Sequence, residues 1–310
     1  MYEFDNITKL LAWVMTLLLV AVVAGCGGGG NPILGEGTGS TGISTAMLGT
    51  ASTYGIAATA GVTNTPTVPN TTINGDVVLD PTATCNAVAA PGGAGSAGFG
   101  ACGGDTPALN GTVVISGPTA TTVKADLLAA FLKITPPAGP PAAGTLGGAT
   151  NLPAGTTLGA PTASPLVLND NLFYPGVYQS LTSILITGDL TLDAQGNPNA
   201  VFVFQSSSTV GTAAAAGGVP AGRSRILLTG GAKASNVWWQ AGSSVTLGSY
   251  SEFQGNILAS ASITMVTGST SCGRLLAGAY TAGAFVFDSN VVSVPGQPFA
   301  PPAGYSTTCQ

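Results

Sequence analysis

The sequence predicts a mostly β protein, a β-solenoid whose short strands wind into stacked coils, with one long α-helix packed alongside. Glycine is abundant (46 of 310 residues), and with alanine, threonine, serine and valine it dominates the composition, which suits short strands and tight turns better than helices. From residue 166 onward, strand-like segments recur at an irregular period of roughly 20 residues, as the coils of a solenoid require. One stretch, residues 119–134, has the spacing of an amphipathic helix.

The composition excludes several classes of function. Charged side chains make up 6% of the chain, against about 25% in typical globular proteins. There are 7 Lys and Arg and 12 Asp and Glu, for a net charge of −5, and histidine is absent. Nucleic-acid binding needs clustered cations, so we expect no nucleic-acid partner. Acid–base catalysis and metal binding need converging carboxylates, His or Cys, so we expect neither an enzyme nor a metal or other cofactor.

The first 26 residues have the pattern of an export signal. Lys9 precedes an apolar run at residues 10–23, which is short for a membrane span of about 20 residues. The run ends in Val23-Ala24-Gly25-Cys26, which is similar to a bacterial lipobox. That similarity implies an exported protein anchored to a membrane, at the outer membrane or cell surface, by a lipid on Cys26, with residues 27–46 as a flexible linker. A plain signal peptide and an N-terminal membrane anchor are the alternatives.

The cysteines agree with export. Setting Cys26 aside leaves an even four, which is typical of disulfide-bonded exported proteins. Four cysteines allow three pairings. We favour Cys85–Cys102, which would close a Gly/Ala-rich loop, and Cys272–Cys309, which would attach the C-terminal tail, residues 296–310, to a coil.

The sequence of the front of the chain predicts several strands followed by the helix. Strand-like sequence begins at Leu48-Gly49-Thr50-Ala51 and continues through residues 54–57 and 71–77, with a turn at Asn74-Gly75. A threonine at 119, 121 or 122 is expected to cap the helix, and Pro136-Pro137 ends it. The apolar stripe of the helix is expected to pack against a large surface and comprises Val123, Leu127, Leu128, Phe131 and Leu132.

The back of the chain repeats itself. Residues 199–205 resemble residues 236–240, and a threonine-bearing strand follows each segment, containing Thr209 and Thr246 respectively. Thr246 and Thr264 are 18 residues apart, and Thr264 and Val286 are 22 apart, which indicates successive coils. Stacked coils lie about 4.8 Å apart.

These motifs together resemble the microbial ice-binding (antifreeze) domain. The resemblance covers residues 47–295. It implies a right-handed, discontinuous, three-faced β-solenoid with a flanking helix, in which the front strands stack beside the last coils. Residues 81–111 would then form the variable capping loop. The segments that carry the resemblance are Leu48-Gly49-Thr50-Ala51, Ile73-Asn74-Gly75-Asp76, Tyr174-Pro175-Gly176-Val177-Tyr178, residues 190–205, residues 236–240, residues 253–259 and residues 273–277.

The family binds ice through one flat face of the solenoid, so the resemblance implies an ice crystal surface as the partner. Strand alternation directs Val245 and Leu247 inward and Thr246 outward. The same rule yields a small, uncharged surface, in which Gly211 is a further neighbour and the candidate ice contacts are Thr191, Thr209, Thr246, Gly248, Thr264, Val266 and Val286. The plainer interpretation is that threonine favours strands and tolerates solvent.

Other features favour structural roles. Trp238 and Trp239 would suit a carbohydrate platform, but their spacing favours one residue in the core and the other against the helix. Asp288 is expected to be a corner or surface carboxylate, and four cations are expected to be solvated: Arg223, Arg225, Lys233 and Arg274. The alternative function is a cell-surface adhesin or a self-associating structural solenoid, since an uncharged face also suits self-association. A polysaccharide-degrading β-helix enzyme needs more carboxylates along one groove than this chain offers.

Overall fold

The computed structural model describes residues 43–65, 67–79, 85–86, 107–115, 117–136, 149–159, 171–218, 220–306 and 308–309. The predicted export signal, Cys26 and residues 27–42 of the predicted linker lie outside the described residues. Cys102 and most of the predicted capping loop lie outside them as well, so the Cys85–Cys102 pairing stays a prediction.

The described strands form three parallel sheets, and the strands are numbered here in chain order. Each sheet is named by what lies on its outer side. The helix-side sheet contains, in spatial order, β7 (Val113–Ile115), β4 (Asp76–Leu79), β1 (Tyr54–Ala58), β23 (Leu275–Leu276), β20 (Asn256–Ala259), β17 (Val237–Ala241), β14 (Phe202–Ser206), β11 (Gly176–Ser180) and β8 (Thr150–Leu152).

The other two sheets have eight strands each. The open sheet runs β5 (Cys85–Asn86), β2 (Gly61–Thr65), β24 (Ala284–Asp288), β21 (Ile263–Met265), β18 (Val245–Leu247), β15 (Val210–Thr212), β12 (Ile184–Ile186) and β9 (Thr156–Leu158). The tail-side sheet runs β10 (Leu172–Phe173), β13 (Asp189–Asp193), β16 (Arg225–Thr229), β19 (Glu252–Gln254), β22 (Thr270–Cys272), β25 (Val291–Ser293), β3 (Thr72–Asn74) and β6 (Ala108–Asn110).

The chain visits the three sheets in turn, so three successive strands make one coil. The last complete coil of the back half is β23, β24 and β25, and β1, β2 and β3 from the front of the chain pair with it in parallel. A strand from the start of the chain therefore continues each sheet where the end of the chain leaves it. This confirms the predicted discontinuous three-faced solenoid and the return of the front strands beside the last coils.

Apolar side chains fill the interior because alternate residues of every strand point inward. Along the axis, Tyr178, Phe204 and Trp239 stack on one another, with ring centroids 5.2 Å and 4.1 Å apart. Trp239 is fully buried in this core, and its indole Nε1 donates to the carbonyl of Gln254 at 3.0 Å.

Helix α1 (Pro118–Ile134) lies against the outer side of the helix-side sheet. Its buried stripe includes Val123, Leu127 and Phe131, as predicted, whereas Leu132 is exposed and Leu128 half-buried because Ala120, Ala130 and Ile134 complete the stripe. The predicted threonine cap is wrong: the helix begins at Pro118 after Gly117, and the hydroxyls of Thr121 and Thr122 donate to carbonyls one turn back. None of the helices in the described ranges is long and apolar enough to cross a membrane.

The segment containing Leu48 and Ala51 is a 3₁₀ helix (Thr45–Thr53), not the predicted strand. The backbone N–H and hydroxyl of Thr50 both donate to Asp126 of α1 at 2.7 Å. These two hydrogen bonds to a residue far along the chain hold the segment as a turn against α1, where Leu48 and Ala51 are buried.

Candidate functional site

The outer side of the helix-side sheet is fully used in packing along its central strands. Trp238, Leu258 and Leu276 point outward there and are buried in one cluster with Val123, Leu127 and Phe131 of α1. Trp238 and Trp239 thus point to opposite sides of their strand, and both are fully buried. The prediction that this pair serves packing is confirmed, and neither ring is available as a carbohydrate platform.

The C-terminal tail covers part of the tail-side sheet. The predicted Cys272–Cys309 disulfide is confirmed and joins the tail to β22, with 5.3 Å between the Cα atoms. The hydroxyl of Tyr305 donates to the carbonyl of Gly268 at 3.2 Å, and the backbone N–H of Ser306 donates to Glu252 at 3.0 Å. Beneath the tail, Glu252 also forms an ion pair with Arg223, whose guanidinium lies 4.6 Å from the centre of the Tyr305 ring.

The prediction that the cations are solvated holds for Lys233, which is exposed, and in part for Arg225, whose ion-paired side chain is 38% exposed, and it is wrong for Arg223 and Arg274. Arg223 is paired and largely buried. Arg225 donates to Asp189 at 2.7 Å. Arg274 donates to the carbonyl of Ser52 at 3.0 Å, and burial lowers the pKa of its guanidinium. These arginines hold coils and segments together.

The open sheet differs from the helix-side sheet and from the tail-side sheet. In the seven strands other than β5, its inward residues are buried, whereas the central outward residue is exposed or half-buried, so no described segment lies over these central residues. Strand pairing places these outward residues in one continuous row, which we call the outer ladder. In spatial order the outer ladder is Thr157, Leu185, Gly211, Thr246, Thr264, Val286 and Thr63.

The outer ladder brings together three of the predicted ice contacts. Thr246 pairs with Thr264, and Thr264 pairs with Val286. The side chain of Thr246 is exposed, that of Thr264 is half-buried, and Val286 is 38% exposed. Neighbouring rungs lie about 4.8 Å apart, the spacing between paired strands. Three strands from consecutive coils therefore present adjacent β-branched side chains to solvent.

A second outward row runs beside the outer ladder, two residues earlier in each strand. Thr209 immediately precedes β15 and is exposed, and the pairing of Val210 with Val245 puts it in line with Ser244. Ser262 and Ala284 follow in the next two coils, where the backbone N–H of Ala284 bonds the Ser262 hydroxyl at 3.1 Å. Thr209 is thus outward as predicted, but it belongs to this second row and not to the rung of Thr246.

Three other candidates lie elsewhere. Thr191 is on β13 of the tail-side sheet, paired with Leu172 and Leu227, so its expected place beside the other candidates is wrong. Gly248 lies just beyond β18 and is buried, and a Cβ there would stand 2.5 Å from the backbone nitrogen of Ala214. Val266, just beyond β21, is half-buried at the edge of the open sheet.

The open sheet carries little charge. Among its described strands, Asp288 is the one charged residue, and it lies half-buried at the end of β24. Its carboxylate accepts from the Thr267 hydroxyl, which turns it toward the corner as expected for a structural carboxylate. Within the described residues, no group of three or more His, Cys, Asp or Glu side chains is placed to hold a metal ion.

Sequence reasoning missed Thr63, Thr157 and Leu185. Thr63 is exposed, and it extends the outer ladder beyond Val286 because β2 returns from the front of the chain to pair with β24. The sequence contains little signal for Thr63, because the inward neighbour Asn64 is polar although buried, and the apolar alternation is lost there. Leu185 is 41% exposed on β12, where an apolar outward residue resembles a core residue in sequence.

Comparison with known proteins finds similarity to one family across most of the chain. The model of the ice-binding-like family matches residues 56–292. An ice-binding protein of Nostoc sp. (strain HG1) is 35% identical over 254 residues, which cover 81% of this chain and 74% of that protein.

Solved structures give the same result. The ice-binding protein from an Antarctic ascomycete, Antarctomyces psychrotrophicus, superposes with a TM-score of 0.58 at 33% identity, covering 79% of this chain and 96% of that one. An ice-binding protein from an Antarctic biological consortium superposes with a TM-score of 0.57 at 32% identity, covering 80% of this chain and 90% of that one.

Proposed function

Because the chain belongs to the ice-binding family, we propose that it binds ice through the outward surface of the open sheet. The observation that carries the proposal is the contrast among the three sheets. Helix α1 lies on one, the disulfide-linked tail lies on another, and the third presents Thr, Val and Ser side chains to solvent.

The chemistry of the outer ladder suits a solid water surface. Threonine presents one methyl and one hydroxyl group, and its β-branched side chain is restricted at χ1. Such groups order water without holding single molecules tightly. Each contact is weak, but the rungs are fixed to one rigid frame, so an adsorbed molecule must release all of them together. Adsorption of this kind slows ice growth and recrystallisation without a chemical reaction, and we propose no enzymatic activity.

The test is growth of ice crystals in the presence of the purified protein. We expect crystal shaping and inhibition of recrystallisation at micromolar protein. Thr264→Tyr should abolish both, because a large ring on a central rung holds its neighbours away from the ice. Thr191→Tyr is the matched control: it makes the same substitution on the tail-side sheet and should retain activity.

The outcomes separate the alternatives. An inactive parent protein would overturn the ice-binding proposal, and sedimentation of that protein as an oligomer would favour the self-associating solenoid instead. Full activity in a folded Thr264→Tyr variant would show that the protein binds ice through another surface.

We further propose that the protein is exported and lipid-anchored through Cys26, so that the open sheet meets ice outside the cell. The lipobox-like Val23-Ala24-Gly25-Cys26 supports this. Mass spectrometry of the cell-associated protein should find the N-terminus at a diacylglyceryl-modified Cys26. A parent protein recovered without the lipid, or a Cys26→Ala variant with the same membrane association as the parent, would contradict it.

A further inference from the structure

The outer ladder is not uniform in height. Thr246, Thr264, Val286 and Thr63 follow one another without interruption. Threonine and valine have nearly the same shape, since each carries two heavy atoms on Cβ and ends there. These four rungs therefore rise to one level above the sheet, over three strand spacings of about 4.8 Å, or roughly 14 Å in all.

Gly211 interrupts this level on the other side of Thr246. It pairs with Thr246 and with Leu185 but has no side chain, so the ladder has a notch one rung wide. A Cβ at Gly211 would stand 3.0 Å from the carbonyl oxygen of Thr246 and 4.0 Å from Cδ1 of Leu185. The neighbouring leucine thus borders the notch.

Leu185 then rises above the level of the other rungs. Its side chain is one carbon longer than valine, it is 41% exposed, and it offers no hydroxyl. Thr157 lies beyond it as a single half-buried rung. A notch and a taller apolar side chain thus separate Thr157 from the four level rungs.

We infer that ice contact is confined to the four level rungs and ends at Gly211. This rests on the proposed function and specifies its site. The zone is composite, because Thr63 enters it only after β2 has docked on β24. A planar crystal meets side chains of equal height together, whereas Leu185 can touch it only by lifting its neighbours away. The second-row residues Ser244, Ser262 and Ala284 flank the zone.

The test is a set of substitutions along the ladder, each compared with the parent for recrystallisation inhibition. Thr63→Tyr should lose activity as Thr264→Tyr does, by about ten-fold or more, as expected for residues of a contact surface. Leu185→Ala should stay within about two-fold of the parent, because it removes a side chain outside the zone and adds no bulk that would hold the rungs away from the ice. Circular dichroism and thermal unfolding establish that each variant is folded, and Thr63→Lys replaces Thr63→Tyr if the latter does not fold.

The outcomes distinguish the zone from the function. An inactive parent or a fully active Thr264→Tyr variant overturns the proposed function and its face. When the parent is active and Thr264→Tyr is not, a Leu185→Ala variant as damaged as Thr264→Tyr overturns the boundary. Full activity in a folded Thr63 variant overturns the composite zone.

A second test removes the difference in height along the outer ladder. Leu185→Thr combined with Gly211→Thr would join Thr157 to the four rungs, although the Thr246 backbone must shift by a few tenths of an ångström to admit the new Cβ. We expect a higher activity per molecule than in the parent. A folded double variant no more active than the parent would contradict Gly211 as the end of the zone.

Discussion

The open sheet and the tail-side sheet are built from the same coils, yet their outer surfaces have opposite chemistry. Both direct apolar residues inward, such as Ile263 in one and Phe253 in the other. Outward, the tail-side sheet carries Glu252, Arg225 and Asp189, with hydrogen bonds and ion pairs to the tail and between coils. The open sheet carries Thr, Val, Ser and Gly with one exposed leucine, Leu185, and its charge is confined to one edge.

This difference shows how the solenoid separates stability from recognition. Inward residues are mostly apolar on every face, so the outward residues have more freedom to vary. On the tail-side sheet they join segments together. On the open sheet they have few partners within the described chain, which leaves their hydroxyl and methyl groups available to water.

The largest expected effect comes from breaking the ion pair of the tail-side sheet. The Glu252 side chain is 5% exposed, and Glu252→Ala leaves Arg223 largely buried without its carboxylate. We expect a loss of about 3–5 kcal/mol in the free energy of unfolding, measured in urea, because an unpaired buried charge is costly. Ice activity of the protein that remains folded should equal that of the parent.

The matched control replaces both members of the pair, as Arg223→Met/Glu252→Leu. Apolar replacement of a whole buried pair is often neutral, so this variant should recover most of the lost stability. If Glu252→Ala instead removed ice activity while leaving stability intact, the assignment of the two sheets would be reversed.

The disulfide offers a second way to weaken the tail-side sheet. Cys272→Ser/Cys309→Ser removes a link across 37 residues and avoids a free thiol. Loop-closure entropy predicts a loss of about 2–4 kcal/mol. We expect a lower midpoint of thermal unfolding and unchanged recrystallisation inhibition near 0 °C. Loss of activity in the folded double variant would mean that the tail shapes the open sheet.

Much of the fold follows from the sequence because its rules are local. Alternation and a coil length near that of the Thr246–Thr264 interval placed both threonines on adjacent rungs, and Val286 on the next. The same alternation also holds on the other sheets. It correctly gave Thr191 an outward position, but it contains no information on which of the three sheets a strand joins.

The remaining errors come from contacts that a local pattern does not record. Thr209 misses the rung of Thr246 because Val210 pairs with Val245, which places Thr209 beside Ser244 and Gly211 on the rung of Thr246. Gly248 follows the alternation of β18, but the coil turns there and the backbone of Ala213 and Ala214 covers it. Thr63 belongs to the site through pairing with a strand more than half the chain away, and no periodicity within the front segment reveals that partner.

The smallest expected effect is a difference in pH dependence between the stability of the fold and the ice activity of the open sheet. Burial raises the pKa of Tyr178, on the inner side of the helix-side sheet, and of Tyr305, in the C-terminal tail, above the usual 10.0. The folded protein keeps these phenols neutral, so the stability they contribute is present below that value and falls as the pH rises above it. We expect the thermal midpoint to fall above about pH 10, and to fall less steeply in Tyr178→Phe.

Ice activity of the folded protein should not follow that fall. The four level rungs carry no titratable group, so recrystallisation inhibition of the folded protein is expected to stay constant from about pH 6 to 11, a range that includes the start of that fall. The measurement compares activity and thermal midpoint on the same samples at each pH. A change in activity within that range, in protein that remains folded, would indicate that a titratable group outside the four level rungs takes part in ice contact.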